Sequence, residues 1–232
     1  MPFATLSSRR DAGGGLTLVA LDVEPPLARA YAAPGQYLEL RTPRGNGYFV
    51  LAGPLGESTW ELLVRNAGDA ADVLVNAPIG TTLEINGPLG DGFPAERAAG
   101  RQLVVAVVGS ALAVARPLVA GRIAEGAAAR THVYVGARSA ADIPLPAEVE
   151  GWGSAGVEVV LCLSGQDVEH DRGPLAFARR VAGYVQDVVA RDVEGPNRPR
   201  LEGALVFAAG PEAMLVAMRG LPGSVLEVVT NV

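Results

Sequence analysis

The hydrophobic pattern of the chain changes its period near residue 100, and this change constrains the fold more than any other feature of the sequence. Before it, short runs rich in β-branched or aromatic residues are separated by Gly, Pro or Asn. Such runs are typical of the strands of an antiparallel barrel or sandwich. The strand candidates are LTLVALDV, GQYLELRT, GYFVLAG, WELLVRN and TTLEINGP, and DAADVLVNAP is the one segment compatible with a short helix.

After residue 101 the strand candidates are apolar throughout and alternate with segments of helical period. The strands are LVVAVV, THVYVGA, VEVVLCL and GALVFAAG. Apolar strands that alternate with helices indicate a parallel sheet covered on both faces. The sequence therefore predicts an antiparallel, Greek-key type β-barrel over 1–97, then a doubly wound parallel α/β domain over 101–232. FPAERAAGR would join them, and EGPNRPRLEG is predicted to be a mobile loop.

Composition excludes several classes of site and partner. The chain is 49% hydrophobic and 19% charged, as in globular proteins, and its net charge of −6 argues against nucleic-acid binding. One cysteine and two histidines argue against a disulfide, an iron–sulfur cluster or a metal site. All positive residues are arginines, which excludes lysine-based mechanisms. With no long apolar run and no apolar signal region, we expect a cytoplasmic protein that does not bind membranes.

The order of the two domains and several local motifs resemble the ferredoxin–NADP reductase superfamily over nearly the whole chain. The motifs follow the family's order: APGQYLELRTP, GTTLEINGPLGDGF, HVYVGARSAADI, GVEVVLCLS followed by GYVQDVV, and VFAAGPEAML. The resemblance implies FAD between the domains and NAD(P)H at the carboxyl ends of the parallel strands. It also implies electron transfer to an acceptor such as a redox partner protein. The final strand resembles members that end there, which implies no iron–sulfur centre.

The first flavin-binding motif of the family has lost its polar side chains here. The family's arginine, which meets the flavin pyrophosphate, is replaced by Gly47, and its Ser or Thr hydroxyl is replaced by Val50. The rings of Tyr48 and Phe49 could still stack on a flavin. The same stretch would also serve as an ordinary core strand.

The second flavin-binding motif, a turn that gives N–H groups and a hydroxyl to the pyrophosphate, is similarly altered. Its glycine persists as Gly68, but Ala71 stands where the family has a hydroxyl. Asp69 adds negative charge near the expected phosphate, although it could simply cap a helix. Arg44 or Arg65 is a candidate to replace the lost arginine.

The turn after the first apolar strand resembles the family's nicotinamide-nucleotide turn with its second glycine replaced. Gly109 and Ser110 persist and could bind a phosphate, whereas Ala111 stands at the glycine position. If φ is positive there, the alanine costs about 1–2 kcal/mol and fills space that a dinucleotide needs. Arg116 could assist binding or only interact with surface charge.

Two later segments carry the remaining site residues that the resemblance implies. Arg138 and Ser139 resemble the pair that holds the adenosine ribose or its 2′-phosphate, although a strand-end arginine is often only solvated. Gly210 and Pro211 match the family's Gly-Pro turn, in which Ala209 replaces a cysteine near the nicotinamide. That replacement should slow hydride transfer without abolishing it.

Other residues with reactive groups are interpreted as structural. We expect Cys162 to be buried and inert within its strand, His170 to lie in a solvated acidic loop, and Glu148 and Glu150 to lie on the surface.

Two functional hypotheses follow from a chain that keeps the framework motifs and loses the polar ones. The first is a flavin-dependent NAD(P)H oxidoreductase with a weakened cofactor site and an unknown acceptor. The second is a non-catalytic binding or regulatory module without bound flavin. A weaker third is a protein that binds one nucleotide only, near Gly136 and Arg138.

Overall fold

The N-terminal half of the chain forms a closed antiparallel barrel. The computed structural model describes residues 2–165, 174–195, 201–221 and 226–230. The six strands follow the order β4-β3-β6-β1-β2-β5, and a bridge between Leu51 and Leu62 brings the end of β4 against β5. The elements are β1 (Phe3–Gly13), β2 (Leu16–Val23), α1 (Pro25–Ala30), β3 (Tyr37–Thr42), β4 (Gly45–Val50), β5 (Thr59–Arg65), α2 (Asp69–Asn76) and β6 (Thr82–Leu89).

Alternation along the strands places one set of side chains inside this barrel. On β3, Leu38 and Leu40 are fully buried and Tyr37 is only partly buried. Helix α2 closes the interior with Ala70, Ala71 and Leu74 on its buried face, and it is the short helix that the sequence predicts. Helix α1, which begins at a Pro-Pro pair, was not anticipated because six residues are too few to show a helical period.

The C-terminal half forms the predicted parallel sheet. Its strands follow the order β10-β9-β8-β7-β11-β12, and every neighbouring pair is parallel. None of the described helices combines the length and apolar character that crossing a membrane requires. The elements are β7 (Leu103–Val108), α3 (Leu112–Ala124), β8 (Thr131–Ala137), α4 (Pro146–Ser154), β9 (Glu158–Leu163), β10 (Arg179–Ala182), α5 (Val185–Glu194), β11 (Ala204–Ala209), α6 (Glu212–Arg219) and β12 (Leu226–Thr230).

Helices cover both faces of this sheet, as a doubly wound domain requires. One face packs on α3 and α4, and this core continues into the barrel through Leu16, Leu18 and Leu63. The other face packs on α5 and α6. The last barrel strand ends at Leu89 and the first parallel strand begins at Leu103. We propose that the boundary between the two domains lies at residues 97–101. Half of the predicted mobile loop, residues 196–200, lies outside the described residues.

The sheet topology fixes where a ligand site can form. From β7 the chain winds outward to β8, β9 and β10, then returns to place β11 on the other side of β7. Ligands of open α/β sheets bind at such a switch point, outside the carboxyl ends of the strands. Here those ends are Val108 and Ala209, and they face the barrel across a crevice.

Arg116 on α3 holds the two domains together. Its Nη1 lies 2.8 Å from Oε2 of Glu61 on β5 and donates to the carbonyl oxygen of Ala52 at 3.0 Å. Its Nε donates to Glu148 on α4 at 2.8 Å. Burial acts to lower the pKa of Arg116, but Glu148 and Glu61 outweigh it, so the pKa lies above its usual value. Arg116 is thus an interdomain ion pair and is not aimed at a ligand phosphate.

A second interdomain contact is made by the β1–β2 hairpin. Leu145 donates its N–H to the carbonyl oxygen of Ala12 at 2.6 Å. Gly14 has a φ of +60°, and a Cβ there would lie 2.3 Å from the carbonyl oxygen of Asp142. Only glycine therefore lets the hairpin approach the α/β domain this closely.

We expect Arg116→Gln to lower the free energy of unfolding by about 2–3 kcal/mol, because it leaves two partly buried carboxylates without their cation. Arg219→Gln is the control: Arg219 pairs with exposed Glu212 on the surface, and its loss should cost less than about 1 kcal/mol. Urea titration measures both changes. Equal losses for the two variants would contradict the assignment of Arg116.

Candidate functional site

Two adjoining cavities open in the crevice between the barrel and the carboxyl ends of the parallel strands. The barrel-side pocket, about 540 Å³, is lined by residues 48–50, 63–65 and 209–211 together with the start of α3. The sheet-side pocket, about 640 Å³, is lined by the ends of β7, β8 and β9 and by the starts of α5 and α6. Arg65, Val108 and Pro211 line both pockets. Two ligands could therefore meet at this common wall.

Most of the side chains that line the barrel-side pocket are apolar. Tyr48, Phe49 and Val50 form its barrel wall, and Ala111 and Pro211 lie on the opposite side. Tyr48 is 66% exposed and meets Tyr37 edge to face, with ring centroids 6.0 Å apart. Among the described residues that line this pocket, Arg65 is the only one with a charged side chain. The walls therefore suit a flat, uncharged ring.

Gly47 lies where a close approach between β4 and α2 leaves no room for a side chain. A Cβ built on Gly47 would lie 2.6 Å from Cβ of Ala70 and 2.9 Å from the ring of Phe49. The Phe49 ring could rotate, but the Ala70 methyl moves only if α2 moves. The family's arginine position is therefore closed by packing, which is a stronger change than the loss of one charge.

The start of α2 has few groups that could bind a phosphate. Gly68 precedes the helix with a φ of +87° and no side chain caps it, while Asp69 and Asp72 lie in the first turn. Ala71 is buried in the barrel core and faces away from solvent. Two carboxylates here oppose the attraction that the helix N-terminus would exert on an anion.

The β7–α3 turn keeps the form of a phosphate-binding turn. Gly109 has a φ of +58°. Ala111 has a φ of −64° and a ψ of −10°, so the condition for backbone strain at this alanine is not met. Residues 109–111 are themselves helical and lead directly into α3, and the N–H of Leu112 donates to the carbonyl oxygen of Gly109. The N–H groups that lack a partner within this helical segment are therefore those of the turn that begins at Gly109. Ser110 lies on the barrel side of the turn.

Arg65 extends from the end of β5 towards this turn. A Cβ on Gly109 would lie 3.7 Å from its Nη2, and one on Gly15 would lie 3.5 Å from its Nη1. The guanidinium therefore lies between the β1–β2 hairpin and the helical turn that begins at Gly109. A guanidinium and helix N–H groups in one place form an anion-binding arrangement.

The sheet-side pocket combines a close-packed floor with polar walls. At Gly136 a Cβ would lie 2.6 Å from Val185 and 2.8 Å from Val108, so the floor admits only glycine. Arg138 is exposed and lines the pocket. Ser139 donates its hydroxyl to Asp142 at 2.8 Å, which makes it a cap of the turn that follows β8.

Cys162 also lines the sheet-side pocket, although only 1% of it is exposed. Burial raises the pKa of its thiol to about 12, so the thiol stays protonated at neutral pH. Ala209 lines the barrel-side pocket beside Gly210, where a Cβ would lie 2.9 Å from the sulfur of Met214.

The predicted site residues fall into two groups. Nine line a pocket: Tyr48, Phe49, Val50, Arg65, Gly109, Ser110, Arg138, Gly210 and Pro211. Three do not, namely Gly68, Ala71 and Ser139. Glu148 is engaged by Arg116 and Glu150 is exposed, and His170 lies outside the described residues.

Sequence reasoning did not select four polar residues of the sheet-side pocket, Asp142, Ser164, Tyr184 and Gln186. Tyr184 and Gln186 belong to the segment GYVQDVV, which was matched only as a helix. Tyr184 is 63% exposed beside a buried helix start. One signal in the sequence could have identified Tyr184: it is an aromatic residue at the start of a helix that follows a parallel-strand region.

The fold and the paired pockets define a two-domain class of proteins in which a barrel and a parallel α/β sheet share one crevice. This is the fold of the ferredoxin–NADP reductase superfamily, and the predicted resemblance is confirmed. A cytochrome P450 reductase from Amycolatopsis is 25% identical with a TM-score of 0.74, covering 99% of this chain and 69% of that one. The FAD/NAD binding domain of nitric oxide dioxygenase from Vibrio cholerae is 14% identical with a TM-score of 0.73, covering 99% and 98%.

Sequence comparison gives two further relatives. Fruit protein pKIWI502 from Actinidia deliciosa is 25% identical over 220 residues, which is 88% of this chain and 66% of that protein. Sulfhydrogenase 1 subunit gamma from Pyrococcus furiosus is 31% identical over 86 residues, which is 35% of this chain and 29% of that subunit. The chain thus spans less than two thirds of the length of either relative. No protein-family model matches the chain.

We expect Gly47→Ala to lower the free energy of unfolding by about 1–3 kcal/mol, because the new methyl overlaps that of Ala70. Ala70→Gly alone should cost about 1 kcal/mol of helix propensity. In the double variant that carries both substitutions the overlap is gone. Its free energy of unfolding should therefore fall by less than the sum of the losses in the two single variants.

The matched control is Gly53→Ala, whose new Cβ would lie 3.4 Å from its nearest neighbour, an ordinary contact. Its effect should stay below about 1 kcal/mol. Chemical denaturation of the four variants measures the coupling. Additive losses at positions 47 and 70 would show that the two residues are not in contact.

Proposed function

We propose that this protein is an NAD(P)H-dependent flavin oxidoreductase that passes electrons through FAD to an acceptor. The observation that carries the proposal is the common wall of the two pockets at Val108 and Pro211. Direct hydride transfer needs two rings in contact, and two cavities that adjoin inside one crevice provide that arrangement. When bound, the flavin supplies the chemistry that turns hydride acceptance into delivery of one or two electrons.

The barrel-side pocket fits the flavin ring. Tyr48 and Phe49 offer aromatic surface to one side, and Ala111 and Pro211 offer apolar surface to the other. A volume of about 540 Å³ lies in the range of small-molecule sites. These walls would exclude water from the faces of a ring held between them. The side chain of Val50 cannot donate a hydrogen bond to that ring.

The sheet-side pocket fits a nicotinamide nucleotide. Arg65 and the N–H groups of the helical turn that begins at Gly109 would hold its pyrophosphate. Arg138 would reach the ribose or phosphate of the adenosine end. The side chains of Val108, Val185 and Pro211 line this pocket and would give a flat ring apolar surface at the common wall.

The solved structures support a protein as the acceptor. Among those with this fold are a cytochrome P450 reductase and a ferredoxin reductase in carbazole 1,9a-dioxygenase. Both names describe proteins that act in systems with a separate oxygenase or carrier function. A redox partner protein is therefore the acceptor class that we propose.

The second candidate is a binding or regulatory module without flavin. The closed position at Gly47 and Ala70 favours it, because that position is where the family holds the flavin pyrophosphate. The two candidates differ in whether the barrel-side pocket takes a flavin ring at all.

The deciding experiment adds flavin to the purified protein and then NADH or NADPH without oxygen. We expect the flavin absorbance to change on binding and to bleach on reduction. Protein that neither binds flavin nor accelerates its reduction would reject the oxidoreductase and leave the binding module.

Arg65→Gln tests the nucleotide side. We expect it to weaken NAD(P)H binding about tenfold or more, because one charge-assisted contact to the pyrophosphate is lost. Arg29→Gln, an exposed arginine on α1, is the matched control and should bind NAD(P)H as the wild type does. Equal affinities for the two variants would remove Arg65 from the site.

A further inference from the structure

The charge of the barrel-side pocket is incompatible with a tightly held FAD tail. FAD carries a pyrophosphate and an adenosine beyond its ring, and pyrophosphates in proteins are held by arginines, hydroxyls or helix N-termini. Among the described residues that line this pocket, the only cation is Arg65. Its guanidinium lies beside Gly109 and Gly15, on the side of the sheet-side pocket.

The shape of the barrel-side pocket also disfavours a tightly held pyrophosphate. The space beside β4 that a pyrophosphate-binding arginine would occupy is filled by Ala70 and the ring of Phe49, both within 3 Å of a Cβ at position 47. Phe49 packs partly into the barrel core. The wall is thus continuous where a cationic side chain would have to emerge.

The N-terminus of α2 does not compensate. Asp69 and Asp72 lie in its first turn, and no side chain caps the helix. Ala71 points into the core, so no hydroxyl is offered there. A phosphate at this helix would meet two carboxylates and no cation among the described residues lining the pocket.

We propose that the barrel-side pocket recognises flavins by the isoalloxazine ring alone and leaves the phosphate and adenosine in solvent. Riboflavin, FMN and FAD then bind with nearly the same affinity, and the flavin exchanges with free flavin. This rests on the proposed function, because it assumes that the pocket takes a flavin ring, and it narrows the ligand class from FAD to any flavin.

Equilibrium dialysis of the full chain against riboflavin, FMN and FAD separately tests this directly. We expect the three dissociation constants to agree within about threefold and to change little with ionic strength, because no phosphate contact is screened. FAD binding about thirtyfold tighter than riboflavin would overturn the inference and leave the oxidoreductase proposal standing. Failure of all three flavins to bind would overturn both.

Two variants separate ring contacts from tail contacts. Tyr48→Ala removes an exposed ring at the pocket and should weaken all three flavins by the same factor. Asp69→Asn removes an exposed negative charge from the start of α2 and should change none of them. If Asp69→Asn tightened the binding of FMN and FAD but not that of riboflavin, the phosphates would lie at α2 and the inference would be overturned.

Discussion

The contact of Arg116 with Glu61, Glu148 and the Ala52 carbonyl is the constraint on which the site depends. It ties one helix of the parallel domain to β5 of the barrel and to α4, beside an apolar core that runs through both domains. The crevice between the domains therefore has a fixed width, and its two pockets keep their common wall at Val108 and Pro211.

The distribution of charge across that crevice explains why a reductase fold can lack familiar flavin motifs. The cations of the two pockets, Arg65 and Arg138, both line the sheet-side pocket. The barrel side keeps flat apolar surface and has closed the position of its lost arginine with Ala70. In the function that we propose, a nicotinamide nucleotide would be held by its phosphates and a flavin by its ring, and these two interactions depend differently on salt.

The sequence predicted the barrel and the parallel sheet, and nine of the residues it selected line the pockets, because strand and helix periods and turn glycines are local signals. Elements too short to show a period, such as the four residues of β10, were missed. Contacts between segments that are distant in the sequence could not be predicted from local patterns either. The clash of Gly47 with Ala70 depends on how α2 packs. The role of Arg116 stayed open because its glutamates lie 55 and 32 residues away, at Glu61 and Glu148.

A crystal structure of the protein grown with FAD tests the central claim most directly. The account predicts an ordered isoalloxazine between Tyr48–Val50 and the Ala111–Pro211 side, its edge at the common wall, with the adenosine outside the pocket and no phosphate at α2. A pyrophosphate bound at Gly68 and Asp69, or an isoalloxazine outside the crevice, would contradict it.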